Sequence, residues 1–589
     1  MGSTIRMGVI CFFSGLLLVG CSAGGGASGG GEDQFPQIAS LNPTSATAGG
    51  AGFTLTVNGS SFVSSSTVDW NGLPRSTTFQ SPSLLTATIT AADIASSGSA
   101  SVTVVNPASL GSTISNSINF PINTVAPPPP SPANVIALVS AATDGTEGNG
   151  DSNLAAISSS GRFVAFVSRA SNFTSIATNG FENIFLRDTC IAATAGCTPS
   201  TVPVSVVPDG SLGNGDSGAS AGFATVPAIS ADGRFVAYAS DATNLVANDS
   251  NASTDIFLRD TCVGAPVGCT PATTRVSVAS DGTQSNGNSF APSLSADGRF
   301  IVFGSNATNL VANDNNQTFD VFLRDTCQGA PVGCSPSTTR LSVASDGSEA
   351  DDASTVPVMS ANGRYVAFDS AAKNLTPNDT TTFVDVFVRD TCFDAPVGCS
   401  PTTTRVSVGP GGLQGNQGST FPSISGDGRF IAFASFASNL VVGGVPQGID
   451  NVFLRDTCAG APAECVPTTI LVSASTAGMP GNAASGLPSV SAGGRFIAFN
   501  SDAQNLVLGD TNGFTDVFVR DTCLTASTPC LPSTLRVSVS AAGDQGNFNS
   551  VIPAISASGH FVVFGGGASN LLPNDANGST DVFLANTSF

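Results

Sequence analysis

Apolar and polar positions along this chain fall into strand-length runs rather than helical stripes. Between residues 36 and 123 the runs alternate, as at Val102 and Val104 in SASVTVVNP, which suits strands with one buried face. From residue 135 onward the pattern is denser. Runs such as Arg299-Phe300-Ile301-Val302-Phe303 and Asp320-Val321-Phe322-Leu323 are apolar at successive positions. Such runs suit strands covered on both faces, and the Asp297-Gly298 pair before the first of them is a hairpin signal.

These dense runs repeat. The phrase S-x-x-G-R-F-[VI] starts at Ser158, Ser230, Ser295, Ser425 and Ser491. Ser360 begins it with Tyr365 in place of Phe, and Ser556 begins it with His560 in place of Arg. The phrase D-[VI]-F-[LV]-R-D-T-C ends at Cys262, Cys327, Cys392 and Cys523, with near-copies ending at Cys190 and Cys458. These cysteines lie 72, 65, 65, 66 and 65 residues apart, so residues 135–589 hold seven copies of one unit. In the copy at 292–344 the predicted strands are 292–295, 299–303, 320–325 and 339–344. Four strands per copy, seven times, predict a seven-bladed β-propeller. A linear solenoid would need polar capping repeats. Residues 135–145, VIALVSAATDG, look like a fourth strand, and the last run, Asp581-Val582-Phe583-Leu584, looks like a third. The expectation is a ring closed by this N-terminal strand, leaving no free sheet edge.

Twelve of the 14 cysteines make six C-x6-C pairs between third and fourth strands: Cys190/Cys197, Cys262/Cys269, Cys327/Cys334, Cys392/Cys399, Cys458/Cys465 and Cys523/Cys530. The seventh copy makes that junction from two distant pieces of chain and has no pair. Disulfides fit an exported chain, whereas a metal would find only two thiolates in each pair.

The first 21 residues read as an address. Arg6 precedes an apolar stretch, Val9 to Val19, that is too short for a comfortable membrane span. Leu18-Val19-Gly20-Cys21 resembles the lipobox of bacterial lipoproteins, which implies cleavage before Cys21 and lipid on its sulfur and new N-terminus. Ser22 resembles the outer-membrane sorting pattern, so the expected partner there is a membrane, reached through lipid. Residues 22–35 form a Gly/Ser tether and residues 124–134 a Pro-rich spacer. Between them, Pro36-Gln37-Ile38, Leu41-Asn42-Pro43, Leu55-Thr56-Val57-Asn58-Gly59, Val68-Asp69-Trp70-Asn71-Gly72 and Val102-Thr103-Val104-Val105-Asn106-Pro107 resemble an IPT/TIG immunoglobulin-like domain over residues 36–123. The resemblance implies a β-sandwich serving as spacer or binding module, with Trp70 in its core. The repeat itself, P-x-[IL]-S-x-D-G-R-x-[IV]-x-F-x-S followed by [IV]-F-[LV]-R-D, resembles the WD-like propeller repeat of the TolB type. TolB is a periplasmic interaction partner. The lipid, the disulfides and the different N-terminal domain mean that a Tol-system role is not implied.

Composition narrows the function. Charged residues make up 10%, with 41 acidic against 20 basic, for a net charge of −21. No Lys/Arg patch can neutralise phosphates, so nucleic acid is not an expected partner. The single histidine, His560, argues against Ser-His-Asp and Cys-His catalysis and excludes a multi-His zinc site. His560, Tyr238 and Tyr365 occupy repeat positions and read as turn or core residues.

One pattern could hold a metal. D-x-N-x-x-x-D precedes the third strand at Asp249/Asn251/Asp255, Asp314/Asn316/Asp320, Asp510/Asn512/Asp516 and Asp575/Asn577/Asp581, and Asp379 and Asp385 keep the carboxylates alone. Hard oxygens at this spacing could wrap Ca²⁺; the competing reading is Asx-turns that cap backbone groups. The Arg-Asp pairs on the third strand (Arg259/Asp260, Arg324/Asp325, Arg389/Asp390, Arg455/Asp456, Arg520/Asp521) could line a channel or bind anions, but read first as blade-to-blade salt bridges and hydrogen bonds. The expectation is a monomeric, non-catalytic envelope protein that binds a protein partner. A surface carbohydrate-binding or adhesion protein, with Ca²⁺, is the alternative, and a propeller-based glycan hydrolase or lyase comes third.

Overall fold

The computed structural model describes residues 35–47, 52–94, 98–107, 113–123, 135–176, 180–193, 196–220, 223–526, 530–573, 575–587 and 589, without side chains over 219–224. Cys21, the signal and tether (1–34) and the Pro-rich spacer (124–134) lie outside the described residues. The chain divides into two compact units, before and after the Pro130/Ser131 junction. Both are built of strands; the described helix amounts to two short 3-10 segments. None of the described helices is long and apolar enough to cross a membrane.

In the first unit, one sheet orders Gln37–Asn42, Phe53–Ser60, Leu84–Ile89 and Thr77–Ser81. The other centres on Gly98–Asn106, flanked by Ile118–Asn123 and Thr67–Trp70. The alternation read from sequence is the reason they pack. Leu55, Val57, Val102 and Val104 are fully buried in one core. Trp70 is 1% exposed, with its ring 5.1 Å from Phe120, so it is core.

The second unit contains seven four-stranded antiparallel sheets. The third is representative: Ser289–Leu294, Phe300–Ser305, Asp320–Asp325 and Ser337–Arg340. Every residue of Phe300–Ser305 is buried, as its unbroken apolar run predicts. The cores lie between sheets. Phe235, Ile256 and Leu258 of the second sheet cluster with Ile301, Phe303 and Phe322 of the third. The seventh sheet takes three strands from Ser550–Ile555, Phe561–Gly566 and Asp581–Asn586, and its fourth from Ile136–Leu138.

Two sets of contacts pass from sheet to sheet and return. Backbone N–H groups of Ser159, Ala231, Ala296, Ala361, Gly426, Ala492 and Ala557 each donate to the carbonyl of the next residue in that series, and Ala557 donates to Ser159 at 3.1 Å. Alongside, Gly298 takes φ +75° in its Asp-Gly turn, and a Cβ there would stand 2.5 Å from the ring of Phe235 in the preceding sheet. Gly161 stands in the same relation to Phe561 of the seventh sheet.

Two boundaries differ from the sequence reading. The first strand of the third copy begins at Ser289 rather than Pro292; Pro292 has no N–H for the ladder, and the pairing skips over Ala291, whose φ is +49°. The fourth strand is Ser337–Arg340 rather than 339–344, because the Ser342 hydroxyl turns inward to Asp320 and Val343 forms a separate bridge with Glu349. In the second sheet the first strand is reduced to Ala228–Ile229.

Candidate functional site

The acidic loops are candidate chemistry because they place paired carboxylates at the start of each third strand. Asp255, Asp320, Asp385, Asp516 and Asp581 are that strand's first residue and are almost fully buried. A hydroxyl from the fourth-strand segment satisfies one oxygen: Ser277 donates to Asp255 at 2.5 Å, Ser407 to Asp385 at 2.6 Å and Ser140 to Asp581 at 2.5 Å. The loop Asn reaches the other. Asn251, Asn316, Asn512 and Asn577 donate Nδ2 to Asp255, Asp320, Asp516 and Asp581 at 3.0–3.1 Å. The Asn side-chain oxygens accept backbone N–H groups two residues on, so these residues also make the expected Asx-turns.

In four loops the cation between the carboxylates is an arginine of the protein. Arg275 lies 3.2 Å from Asp249 and 3.3 Å from Asp255. Arg340 lies 3.4 and 3.6 Å from Asp314 and Asp320. Arg405 lies 2.6 and 3.4 Å from Asp379 and Asp385, and Arg536 lies 3.1 and 3.2 Å from Asp510 and Asp516. Sequence reading missed these arginines. Their signal was present: each ends a fourth strand two residues before the inward-turned serine. The fifth copy, whose loop lost the acidic pattern, carries Leu471 at that position.

The seventh loop keeps its acids but not the arginine. Leu138 pairs with Phe583 in the register by which Arg275 pairs with Phe257. Glu147 adds a third carboxylate. Burial, then the Asp581 and Glu147 charges, push Asp575 up to about 6. Burial is also the first cause that raises Asp581 to about 6, with Glu147 and Asp151 adding to it.

The third-strand Arg-Asp neighbours separate to opposite faces. Asp325 pairs with Arg299 of its own sheet, through Nε at 2.9 Å and Nη2 at 2.7 Å. The salt bridges are therefore within a sheet, not between sheets, because the turn arginine stands across the second and third strands from that aspartate. Arg324 takes the inter-sheet role by hydrogen bonding, to Ala279 O at 3.1 Å and Thr338 Oγ1 at 3.0 Å. In the seventh sheet both partners change, to His560 and Asn586. His560 is exposed. Tyr238 is buried, but Tyr365 is only half-buried and edges a crevice, which departs from the core reading of both.

All six C-x6-C pairs are bonded: Cys190–Cys197, Cys262–Cys269, Cys327–Cys334, Cys392–Cys399, Cys458–Cys465 and Cys523–Cys530, with Cα–Cα 5.6–5.8 Å. Cys530, bonded to Cys523 as expected, has a further contact, shared with the second cysteine of the other pairs. Its sulfur accepts from Arg495 Nη2 at 3.6 Å and lies 3.6 Å from Asp521 Oδ2, so Cys530 also caps the ion pair of the sixth sheet. The reason is the hairpin, which folds the second cysteine back over the end of the third strand, where Asp521 stands. Cys530 is also half-buried and precedes the fourth strand, Ser533–Arg536, while residues 527–529 of its loop lie outside the described residues.

Among solved structures, the chain is similar to a provisional TolB from Agrobacterium tumefaciens, at 17% identity over 54% of this chain and 80% of that one, with TM-score 0.28. An auxiliary nutrient binding protein from Bacteroides ovatus is similar at 11% identity over 94% and 98%, TM-score 0.27. The NanB sialidase from Streptococcus pneumoniae is similar at 10% over 90% and 83%, TM-score 0.29. TM-scores this low carry no weight for fold or function. No curated protein sequence matches the chain. Residues 36–122 match the model of the IPT/TIG domain.

Proposed function

We propose that the seven sheets are the blades of one closed β-propeller, and that the chain is a non-catalytic, lipid-anchored envelope protein presenting that platform to a protein partner. The observation that carries the reading is the use of the recurring ionisable residues as scaffold. The acidic loops of four sheets each hold one arginine, Arg275, Arg340, Arg405 or Arg536, that offsets part of their charge, and six turn arginines from Arg162 to Arg495 are bidentate to third-strand aspartates. The returning series of hydrogen bonds through Ala557 and Ser159 supports closure. Closed rings of this kind offer rigid faces on which loops can vary. Membrane attachment rests on the Cys21 resemblance alone.

The test is in-cell photo-crosslinking of the full chain, compared with a Cys21→Ser variant, followed by fatty-acid labelling. A discrete crosslinked protein, together with label that depends on Cys21, is the expected result. Label on the Cys21→Ser chain removes the anchor, and crosslinks to glycan without protein remove the scaffold role. The second reading, Ca²⁺-dependent glycan binding, is favoured at one place: the seventh loop has Leu138 where other acidic loops have an arginine.

A further inference from the structure

We infer that the crevice between the fourth and fifth sheets binds a carboxylate-bearing monosaccharide unit, a uronate. This goes beyond the scaffold reading and does not depend on it, so either can fail alone. The crevice has a volume of about 260 Å³. It exists because two repeat positions change together at one junction. At most junctions, though not at the second-to-third, where Gln328 is exposed, the residue after the first cysteine of a sheet covers the second-strand Phe of the sheet before it. Phe393 sits 4.3 Å from Phe300, and Val263 and Leu524 pack in the clusters that hold Phe163 and Phe430. At the seventh sheet Phe589 fills the place, 5.4 Å from Phe496. At the fourth-to-fifth junction the plug is Ala459 and the covered ring is Tyr365, and both line the crevice. A small residue leaves the space, and Tyr365 brings a phenol to its wall.

The charge left there is positive. Asp390 lines the crevice, but its oxygens are held by Arg364 at 2.8 and 2.7 Å and by the Cys392 N–H at 2.8 Å. Arg405 is committed to Asp379 and Asp385. Arg455, on the wall, makes one hydrogen bond among the described residues, to Thr469 Oγ1 at 3.1 Å, and has no carboxylate partner there. Arg389 and Arg520 each donate to a threonine and to two carbonyls of the preceding sheet, whereas Arg259, like Arg455, donates to a threonine alone among the described residues. The corresponding stretch before the fifth sheet is Val408-Gly409-Pro410-Gly411-Gly412, which turns through a 3-10 segment. Burial lowers the pKa of Arg455, as it does at the equivalent Arg187, Arg259, Arg324, Arg389 and Arg520, while the Asp456 charge raises it.

A guanidinium with open N–H groups matches a carboxylate. Thr402, Thr404 and Tyr365 line the crevice with it, the Thr457 hydroxyl being taken up by Arg429 O at 2.8 Å and the Ala459 N–H at 3.3 Å, and Ala459 and Pro467 supply an apolar surface. Hydroxyls around one fixed cation, beside a small apolar floor, suit a hydroxylated ring with one acidic group.

The test is calorimetric titration of the full chain in detergent with galacturonate, galactose and inorganic phosphate. The expected result is galacturonate bound about tenfold or more tightly than either competitor. Ala459→Leu, which copies the plug of the sixth sheet, and Arg455→Gln should each abolish that binding at an unchanged melting temperature. Equal affinity for galactose or phosphate, undetectable galacturonate binding, or binding that survives Ala459→Leu in the folded protein overturns the proposal.

Discussion

Ala557 donates its backbone N–H to Ser159 O at 3.1 Å, joining the last repeated turn to the first. The same junction carries the fourth strand of the seventh sheet, Ile136–Leu138, paired to Asp581–Asn586. Its buried anchor is Ser140, whose hydroxyl donates to Asp581 while accepting the Val582 N–H at 3.0 Å. Ser140→Ala strands one buried oxygen and one buried N–H, at a cost of about 1–3 kcal/mol. Denaturant unfolding should show that loss, whereas Ser159→Ala, which keeps the backbone bond, should be near neutral.

Much of this junction was legible in the sequence, because the repeat period, the fourth-strand look of residues 135–145 and the missing seventh cysteine pair all follow from counting. The arginines of the acidic loops were not. Arg275 lies 20 residues after Asp255 in the chain, and only the pairing of Phe257 with Arg275 brings the guanidinium to the carboxylates. The contact of Cys530 with Arg495 was hidden in the same way, since 35 residues separate them and only the hairpin fold unites them. The Tyr365–Ala459 gap was hidden for a related reason: its two halves belong to different copies and meet only across an inter-sheet junction. The bulge at Ala291 needed φ, which no pattern of apolar residues reports.

The seventh loop should make stability depend on pH. Asp575 and Asp581 titrate near 6 in the folded protein against an ordinary value of 3.8, so the folded state binds more protons than the unfolded state between those values. Stability from these groups is therefore greatest in acid and falls as pH rises through that window to about 6. Depressed third-strand aspartates such as Asp188 and Asp325 act in the opposite sense, so the contrast between variants carries the information. Melting curves at about pH 5 and about pH 7.5, either side of that window, should show Asp575→Asn gaining relative stability at the higher pH. An unchanged difference between the two proteins counts against this assignment of the shift.

Leu138→Arg should restore the arrangement seen at Arg275. The new guanidinium would stand beside Asp575, Asp581 and Glu147 and oppose the rise in both aspartate pKa values, shrinking the pH dependence without removing it, since Asp314 still reaches about 6 beside Arg340. It should also cancel any thermal shift that Ca²⁺ produces, because one cation would then occupy the place of the other. A Ca²⁺-induced shift that survives Leu138→Arg would place the ion elsewhere.

The six disulfides each close a short loop, with partners seven residues apart, at the outer hairpin of a sheet. By chain entropy an unstrained loop of this size contributes about 2–3 kcal/mol. The cysteines also sit beside the turn arginines: Arg299 Nη2 lies 3.8 Å from Cys334 Sγ, and the Cys327 N–H donates to Asp325 at 2.8 Å. Reduction should therefore loosen the Arg299–Asp325 pair as well as the loop. Arg299→Gln is expected to cost about 1–3 kcal/mol in the oxidised protein, as the loss of a charge-assisted, partly buried pair. Measured after reduction, the same substitution should cost less. Equal costs in the two redox states would show that the ion pair holds its geometry without the bridge.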